Sequence, residues 1–412
     1  MAEDRHVRVL VIGGGPSGLA CAAGLARTGE VLVIEREQRA GGIPRHSDHT
    51  GYGLRDRHRV MSGPAYAEAW RRTAVEAGAE LLEGAMVTGW TAEREVAVTS
   101  PRGRFTVRAD AIVLATGARE RPRSARRIPG DRPDGVLTTG QLQNLVHLHG
   151  GKVGTRAVVV GGELVSWSAV LTLREAGCRT VAMVTPYAKA EAYAVFRWAG
   201  RSVLRVPVLG HADVVRIEGR ERVEAVVVRD RSTRAETRLA CDTVVTTGDW
   251  IPDHELARSG GLELDRGTLG PAVDASLRTS APGVFAVGNL LHPVETADVA
   301  ALDGVHVVAT VHDWLETGGL RRGVRVTGQA PLRWVSPQYL EPGGAAPPRG
   351  RLLSWTDAWV RRPVLEAVQD GCVVGRARTW WTAAPGRAFR IPATLLDGVD
   401  RDGGEVTIRF AR

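Results

Sequence analysis

Val9-Leu10-Val11-Ile12-Gly13-Gly14-Gly15-Pro16-Ser17-Gly18 decides the fold. The apolar run 7–12 reads as a buried parallel strand, and proline just inside the next segment suits the first turn of a helix. Between them stands G-x-G-x-x-G. Gly13 permits the tight turn, Gly15 lets a pyrophosphate approach the backbone, and Gly18 lets helix and strand pack closely. Gly14, Pro16 and Ser17 complete the turn and belong to the same expected nucleotide contact. The phosphates would lie at the positive end of the helix dipole. Glu35, 20 residues after Gly15, ends the next apolar strand, 31–34. There its carboxylate can accept the ribose hydroxyl protons, with Arg36 beside it. A glycine-rich turn without a nucleotide is the bland alternative. The joint spacing of strand, helix and acid argues against it.

Outward from this stretch, 16–28 reads as a helix with small residues on its packing face. A loop rich in Gly, His and Arg covers 41–63, and 66–77 is helical with Gly78 as its stop. Strands and a hairpin follow over 85–109, then a strand at 111–114 that ends in Ala115-Thr116-Gly117. Residues 119–133 form an Arg- and Pro-rich crossover, expected to be solvated. The pattern then restarts: strand 157–160, turn Gly161-Gly162, helix 165–176, strand 181–184. This is a second βαβ unit echoing the first. Further strands are expected at 223–229 and 244–247. From about residue 323 short alternating strands dominate, with a hairpin expected at Val364–Gln369 and Cys372–Arg378 around Asp370-Gly371. The expected organisation is an α/β dinucleotide domain split over 1–125 and 255–322. A second dinucleotide-type domain is inserted at 126–254, and 323–412 is a small β-rich domain.

Composition narrows the function classes. The 412 residues are 43% hydrophobic and 24% charged, ordinary for a globular protein. No run approaches 18 apolar residues, so no membrane span is expected. The N-terminal apolar run is short, follows Glu3 and Asp4, and does not read as a signal peptide. The formal charge is +8, yet Lys occurs only at 152 and 189. The arginines are scattered among acids with no basic stripe, which argues against nucleic-acid binding. Cys21, Cys178, Cys241 and Cys372 are far apart. That excludes a local redox dithiol or a zinc ribbon, and few dispersed cysteines suit a reducing cytoplasm. No metal site is expected.

The fingerprint alone does not separate NAD from FAD. Thr116-Gly117 at the end of a strand, and Thr279-Ser280-Ala281-Pro282-Gly283-Val284-Phe285-Ala286-Val287-Gly288-Asn289 far downstream, complete a pattern. With them, residues 7–310 resemble the two-dinucleotide-domain flavoproteins of the pyridine-nucleotide-disulfide oxidoreductase class. The resemblance implies a Rossmann-like FAD/NAD(P)-binding fold and bound FAD. It implies FAD contacts at Thr116, Gly117, Gly288 and Asn289, where Asn289 replaces an aspartate that holds the flavin ribityl chain. Gly42, Ile43 and Val87 are also expected at the cofactor. Glu295-Thr296-Ala297-Asp298 opens an apolar helix. The resemblance places Thr296, a candidate N-cap, and Ala297 at the flavin N1–C2=O edge.

Two departures shape the functional expectation. The disulfide reductases carry C-x4-C after a Gly-Gly. Here Gly41-Gly42 is followed by Ile43-Pro44-Arg45-His46-Ser47-Asp48-His49, with Pro44 and His49 at the cysteine positions. This run, with Gly51–Asp56 and 62–66, resembles the smaller FAD subunits of amine, opine and glycerol-3-phosphate dehydrogenases. Those are similar to the sarcosine oxidase alpha chain and the cyanide-forming glycine dehydrogenases. Arg45, His46 and His49 are the expected catalytic cluster: a histidine to move a proton, Arg45 to hold a carboxylate. A solvated or partner-facing loop is the alternative. Second, the repeat reads Gly161-Gly162-Glu163-Leu164-Val165-Ser166. Glu163 replaces the glycine that admits a pyrophosphate, and Ser166 replaces the third. No acid follows strand 181–184. The expectation is an FAD-dependent dehydrogenase or oxidase subunit whose substrate is a small amine, amino acid or hydroxy compound. The partners implied by resemblance are a second flavoprotein subunit, together with a small ferredoxin-like subunit. The alternatives are an NAD(P)H-dependent flavin reductase and a non-catalytic assembly subunit.

Overall fold

Apolar residues 9–12 have no polar face to offer solvent, so the strand they form must be covered on both sides. In the computed structural model, which describes residues 4–194, 202, 204–293, 295–319, 323–341 and 345–411, Arg5–Ile12 is the central strand of a seven-stranded sheet. Val31–Glu35 pairs with it in parallel on one side and Gly103–Leu114 on the other. Glu80–Glu83 and Val284–Ala286 extend the parallel part. Met86–Ala92 and Glu95–Ser100 form an antiparallel hairpin on the first half of Gly103–Leu114. The helices Pro16–Leu25 and Ala297–Thr317 pack against each other beside this sheet.

The chain divides into two compact units. One contains residues up to 45, 50–118 and 251–412; the other contains 46–49 and 119–250. In the second unit five parallel strands run in the order Val136–Thr138, Thr243–Thr246, Arg156–Val160, Arg179–Val184, Val208–Leu209. A three-stranded antiparallel sheet, Ala212–Glu218, Ala225–Asp230 and Glu236–Ala240, belongs to the same unit.

Several elements differ from the sequence expectation. The second helix starts at Gly63, not at 66, because the Ser62 hydroxyl accepts from Ala65 N at 3.4 Å and Pro64 occupies the first turn. Strand 111–114 is the end of the twelve-residue strand Gly103–Leu114: alternation in its first half and full burial in its second are one element crossing from sheet edge to core. The crossover arginines are not simply solvated. Arg126 reaches the carbonyls of Arg121 (2.7 Å), Thr247 (2.9 Å) and Gly248, and Arg123 those of Ile128 (3.1 Å) and Pro129 (2.8 Å). The hairpin Val364–Gln369/Cys372–Arg378 has the expected bounds, with Asp370 and Gly371 both at positive φ, +50° and +80°.

Residues after 323 carry their own apolar core around Val326, Leu352, Leu365, Ile391 and Ile408. Yet they lie in the same compact unit as the first dinucleotide fold. Buried polar contacts tie them down. Val273 N donates to Gln338 Oε1 (3.1 Å) and Gln338 N to Val273 O (2.9 Å). Arg278 sits 3.0 Å from Glu341 Oε2 and 3.0 Å from Asp313 Oδ2. Its Nη1 lies 3.6 Å from Asp274 Oδ2, while Asp274 Oδ1 accepts from Ser276 N and Arg278 N, both at 2.9 Å. Asp274 and Glu341, 2% and 1% exposed, thus share one guanidinium.

Burial pushes the Asp274 carboxyl up to about 7, and the Glu341 charge acts in the same direction. Its unfolded value is about 4. Between those values the folded state holds a proton that the unfolded chain does not, so stability is lost as pH rises through this window. Asp274→Asn mimics the protonated side chain. At pH 8 it should be more stable than wild type by about 1–3 kcal/mol, with the gap narrowing through the window and closing only by about pH 4, the unfolded value; thermal unfolding at both pH values reads this directly.

Candidate functional site

The first βαβ turn is shaped by what its glycines cannot carry. Gly13 has φ +108°, and a Cβ there would lie 2.5 Å from Ala115 O. A Cβ on Gly18 would lie 2.0 Å from Gly13 O, so the helix Pro16–Leu25 sits against the turn itself. At Gly15 the same construction meets nothing within 4 Å. The backbone of the turn is therefore uncovered at Gly15, the position the motif leaves for close approach of a phosphate. Gly13 N donates to Ile34 O at 2.9 Å and Gly41 N to Gly14 O at 2.7 Å. Gly42, at φ +63°, is tight against Gly15: its Cβ position is 3.0 Å from Gly15 Cα.

Glu35 is 8% exposed and its carboxylate is already engaged. Oε2 accepts from Gly14 N at 2.7 Å and Oε1 from Glu37 N at 2.8 Å. Burial raises its pKa, and these two donors oppose that shift. The acid thus braces the glycine turn as well as facing it. Arg36 pairs with Asp253 at 3.3 Å. Asp253 N donates to Gly117 O at 2.9 Å, and Thr116 Oγ1 donates to Asp253 O at 2.8 Å. Asp253 was missed in the sequence; its place directly after Trp250-Ile251-Pro252 was the available signal. Pro16 starts the helix, and Ser17 is buried under Gly288, whose Cβ position is 2.6 Å from Ser17 Oγ. Gly304 lets the helix Ala297–Thr317 approach the first helix, its Cβ position 2.0 Å from Ser17 O. Val87 is part-buried in the strand Met86–Ala92, and Ile43 is half exposed.

The second half of the expected cradle is wired differently from expectation. Asn289 does not present a free amide. Nδ2 donates to Glu295 O (3.1 Å) and Oδ1 accepts from Glu295 N (3.0 Å). Thr296 occupies the N-cap position, but its hydroxyl does not cap the helix; it donates to Asp298. Asp298 Oδ1 takes Val299 N at 3.0 Å instead. Arg55, from the loop after the glycine-rich run, binds Asp298 Oδ2 and Thr296 Oγ1, each at 3.1 Å. Arg390 reaches Glu295 Oε1 at 3.4 Å. Arg55 and Arg390 were not singled out in the sequence, because nothing local distinguishes them from the other arginines.

The expected catalytic trio divides between the units. Arg45 belongs to the first, with its side chain against Gly41, and His46 and His49 belong to the second. There His46 is buried, Ser47 Oγ lies 3.0 Å from His49 Nε2, and Gln143 Nε2 donates to Ser47 Oγ (3.4 Å) and Ser168 Oγ (2.8 Å).

The second βαβ turn, Gly161-Gly162-Glu163 before the helix Leu164–Glu175, keeps the backbone of a nucleotide turn but fills its space. Gly161 has φ +140° and Gly161 N donates to Val184 O at 2.8 Å. Glu163 is 6% exposed and its Oε2 accepts Gly162 N at 3.0 Å, a donor that a phosphate would use. Ser166, fully buried, lies 2.6 Å from Thr247 Oγ1. Among the described residues no group of three His, Cys, Asp or Glu is placed to hold a metal. No described helix is long and apolar enough to cross a membrane. All four cysteines are free, Cys21, Cys178 and Cys241 buried and Cys372 exposed.

Two βαβ dinucleotide folds, the first with an open glycine turn, define a flavoprotein oxidoreductase architecture. The chain belongs to the pyridine nucleotide-disulphide oxidoreductase family, whose model matches residues 7–304, and its cofactor is FAD. It is 31% identical over 298 residues to the ferredoxin–NAD(+) reductase subunit of a benzene 1,2-dioxygenase system from Pseudomonas putida, covering 68% of this chain and 66% of that one. It is 28% identical to one of the subunits of opine oxidase from Agrobacterium tumefaciens, covering 68% and 60%. The chain thus spans less than two thirds of the length of these relatives. Thioredoxin reductase from T. acidophilum superimposes with a TM-score of 0.64 at 20% identity, covering 75% of this chain and 99% of that one, a likeness of fold.

The two kinds of glycine predict opposite phenotypes. Gly18→Ala should cost about 1–3 kcal/mol of apoprotein stability through overpacking. Gly15→Val should leave apoprotein stability within about 0.5 kcal/mol and weaken FAD binding at least tenfold. Thermal unfolding of the apoprotein and FAD titration separate the two.

Proposed function

We propose that this chain is the FAD-carrying subunit of a dehydrogenase or oxidase that acts on a small amine, amino acid or hydroxy compound. The observation that carries the reading is the contrast between the two turns: open at Gly15, filled by Glu163 in the repeat. The likeness to an opine oxidase supports the substrate class. Gly13, Gly14, Gly15, Pro16, Ser17, Gly18, Glu35 and Arg36 would hold the adenosine diphosphate half. Gly42, Ile43, Val87, Thr116, Gly117, Gly288, Asn289, Thr296 and Ala297 would hold the remainder. Bound FAD supplies the two-electron acceptor.

The residues of the chain supply position and charge. The Asn289–Glu295 bonds and the Arg55–Asp298 pair fix the start of the helix Ala297–Thr317, whose dipole favours negative charge there. Arg45 is the group for a substrate carboxylate, and His46 or His49 for proton movement, each as a proposal resting on the Gly42–His49 run. The dispersed cysteines favour direct electron exchange with substrate or partner, without a dithiol relay. The proposed partners, in the cytoplasm, are a second flavoprotein subunit with a small ferredoxin-like subunit.

The likeness to a ferredoxin–NAD(+) reductase favours a second reading, reduction of the flavin by NAD(P)H. Anaerobic titration decides between them. The purified flavoprotein should keep its visible absorbance with NADH or NADPH and lose it with a member of an amine, amino acid and hydroxy-acid panel. Bleaching by NADH at catalytic rates, with none from the panel, would reverse the assignment.

A further inference from the structure

The filled turn of the second unit contains a carboxylate that the motif does not supply. Glu191 is 28 residues beyond Glu163 in the chain. Its Oε2 lies 2.2 Å from where a Cβ on Gly162 would stand, so it packs directly against the glycine turn. Thr185 Oγ1 donates to the same oxygen at 3.0 Å, and Ala192 N donates to Gly162 O at 3.1 Å. The segment after the strand Arg179–Val184 is thereby fastened to the turn. Glu163 closes from the other side. Its Oε2 takes Gly162 N, and its carboxyl carbon lies 3.1 Å from the Cβ position of Gly248. Glu163 Oε1 has no hydrogen-bond partner among the described residues. Both acids are buried, 6% and 5% exposed.

Resting on the reading that NAD(P)H is not the electron donor, we infer that Glu163 and Glu191 together form an internal stopper that excludes a dinucleotide from the second βαβ turn, with Glu191 occluding its face. Volume and charge act together. The positions over a glycine turn at a helix N-terminus are those a pyrophosphate takes. Here carboxylate oxygens stand within that turn and against Gly162, and anions in a buried setting repel phosphate strongly. Burial, with the Glu163 charge, pushes Glu191 up to about 7, so near neutrality its charge is present only in part and its volume acts at every pH. Restoring the motif at Glu163 alone therefore does not reopen the turn.

The test uses FAD-loaded wild type, Glu163→Gly, Glu191→Ala and the double variant. NADH binding is read by quenching of its fluorescence, with FAD content and circular dichroism confirming the fold. Wild type and Glu163→Gly should show no saturable binding up to millimolar NADH, and the double variant should bind at least tenfold more tightly than wild type. Should the small residues compromise folding, Glu163→Gln with Glu191→Gln keeps the shape and removes the charge. That pair should bind NADH several-fold more tightly than wild type. A folded double variant that binds no better than wild type overturns the stopper alone. Full binding recovered by Glu163→Gly overturns the role of Glu191. Wild type that binds and is reduced by NADH overturns the stopper and the functional reading together.

Discussion

The contact between Gly18 and the Gly13 carbonyl is the constraint on which the first unit depends. It places the N-terminus of the helix Pro16–Leu25 directly over the end of the central strand. From that contact follow the burial of Ser17, the seating of Gly288 on Ser17, and the approach of the helix Ala297–Thr317 at Gly304. Each is a place where a methyl group would strike backbone or a short side chain. The core can be this tight because glycine removes the Cβ, at the entropic cost glycine always carries.

Carboxylates brace both dinucleotide turns, with opposite consequences. Glu35 stands one strand away from the first turn and bonds Gly14 N from the side, leaving Gly15 open. Glu163 stands inside the second turn and bonds Gly162 N from within the space itself. The same interaction, carboxylate to glycine N–H, thus comes from beside the turn in one unit and from within it in the other. Burial raises the pKa of Glu35 as well as that of Glu191, but the two backbone donors on Glu35 oppose the shift, whereas Glu191 faces a second acid.

The C-terminal β structure is joined to the first dinucleotide fold by buried charge as much as by apolar contact. Arg278 serves Glu341 and Asp313 at 3.0 Å, and Arg349 serves Asp303 within the helix Ala297–Thr317. Buried pairs of this kind favour one arrangement over others because any alternative strands a charge in the interior. Of its tryptophans, Trp334 is buried and stacked on Trp355 at 6.4 Å, whereas Trp380 is 74% exposed. One residue type therefore serves both core and surface, which composition could not separate.

Local chemistry alone determined the parallel strands, the glycine turn, the acid at Glu35, the repeat with Glu163 and Ser166 in its turn, and the Asp370-Gly371 hairpin. Each depends on residues within a few positions of one another, where φ preference, alternation and spacing act directly. Tertiary structure decided the rest. The engagement of Asn289 by Glu295, the Arg55–Asp298 pair and the contact of Glu191 with Gly162 join residues whose own neighbourhoods carry no mark. A carboxylate or guanidinium in an Arg-rich chain takes its meaning from the one partner that folding brings within about 3 Å.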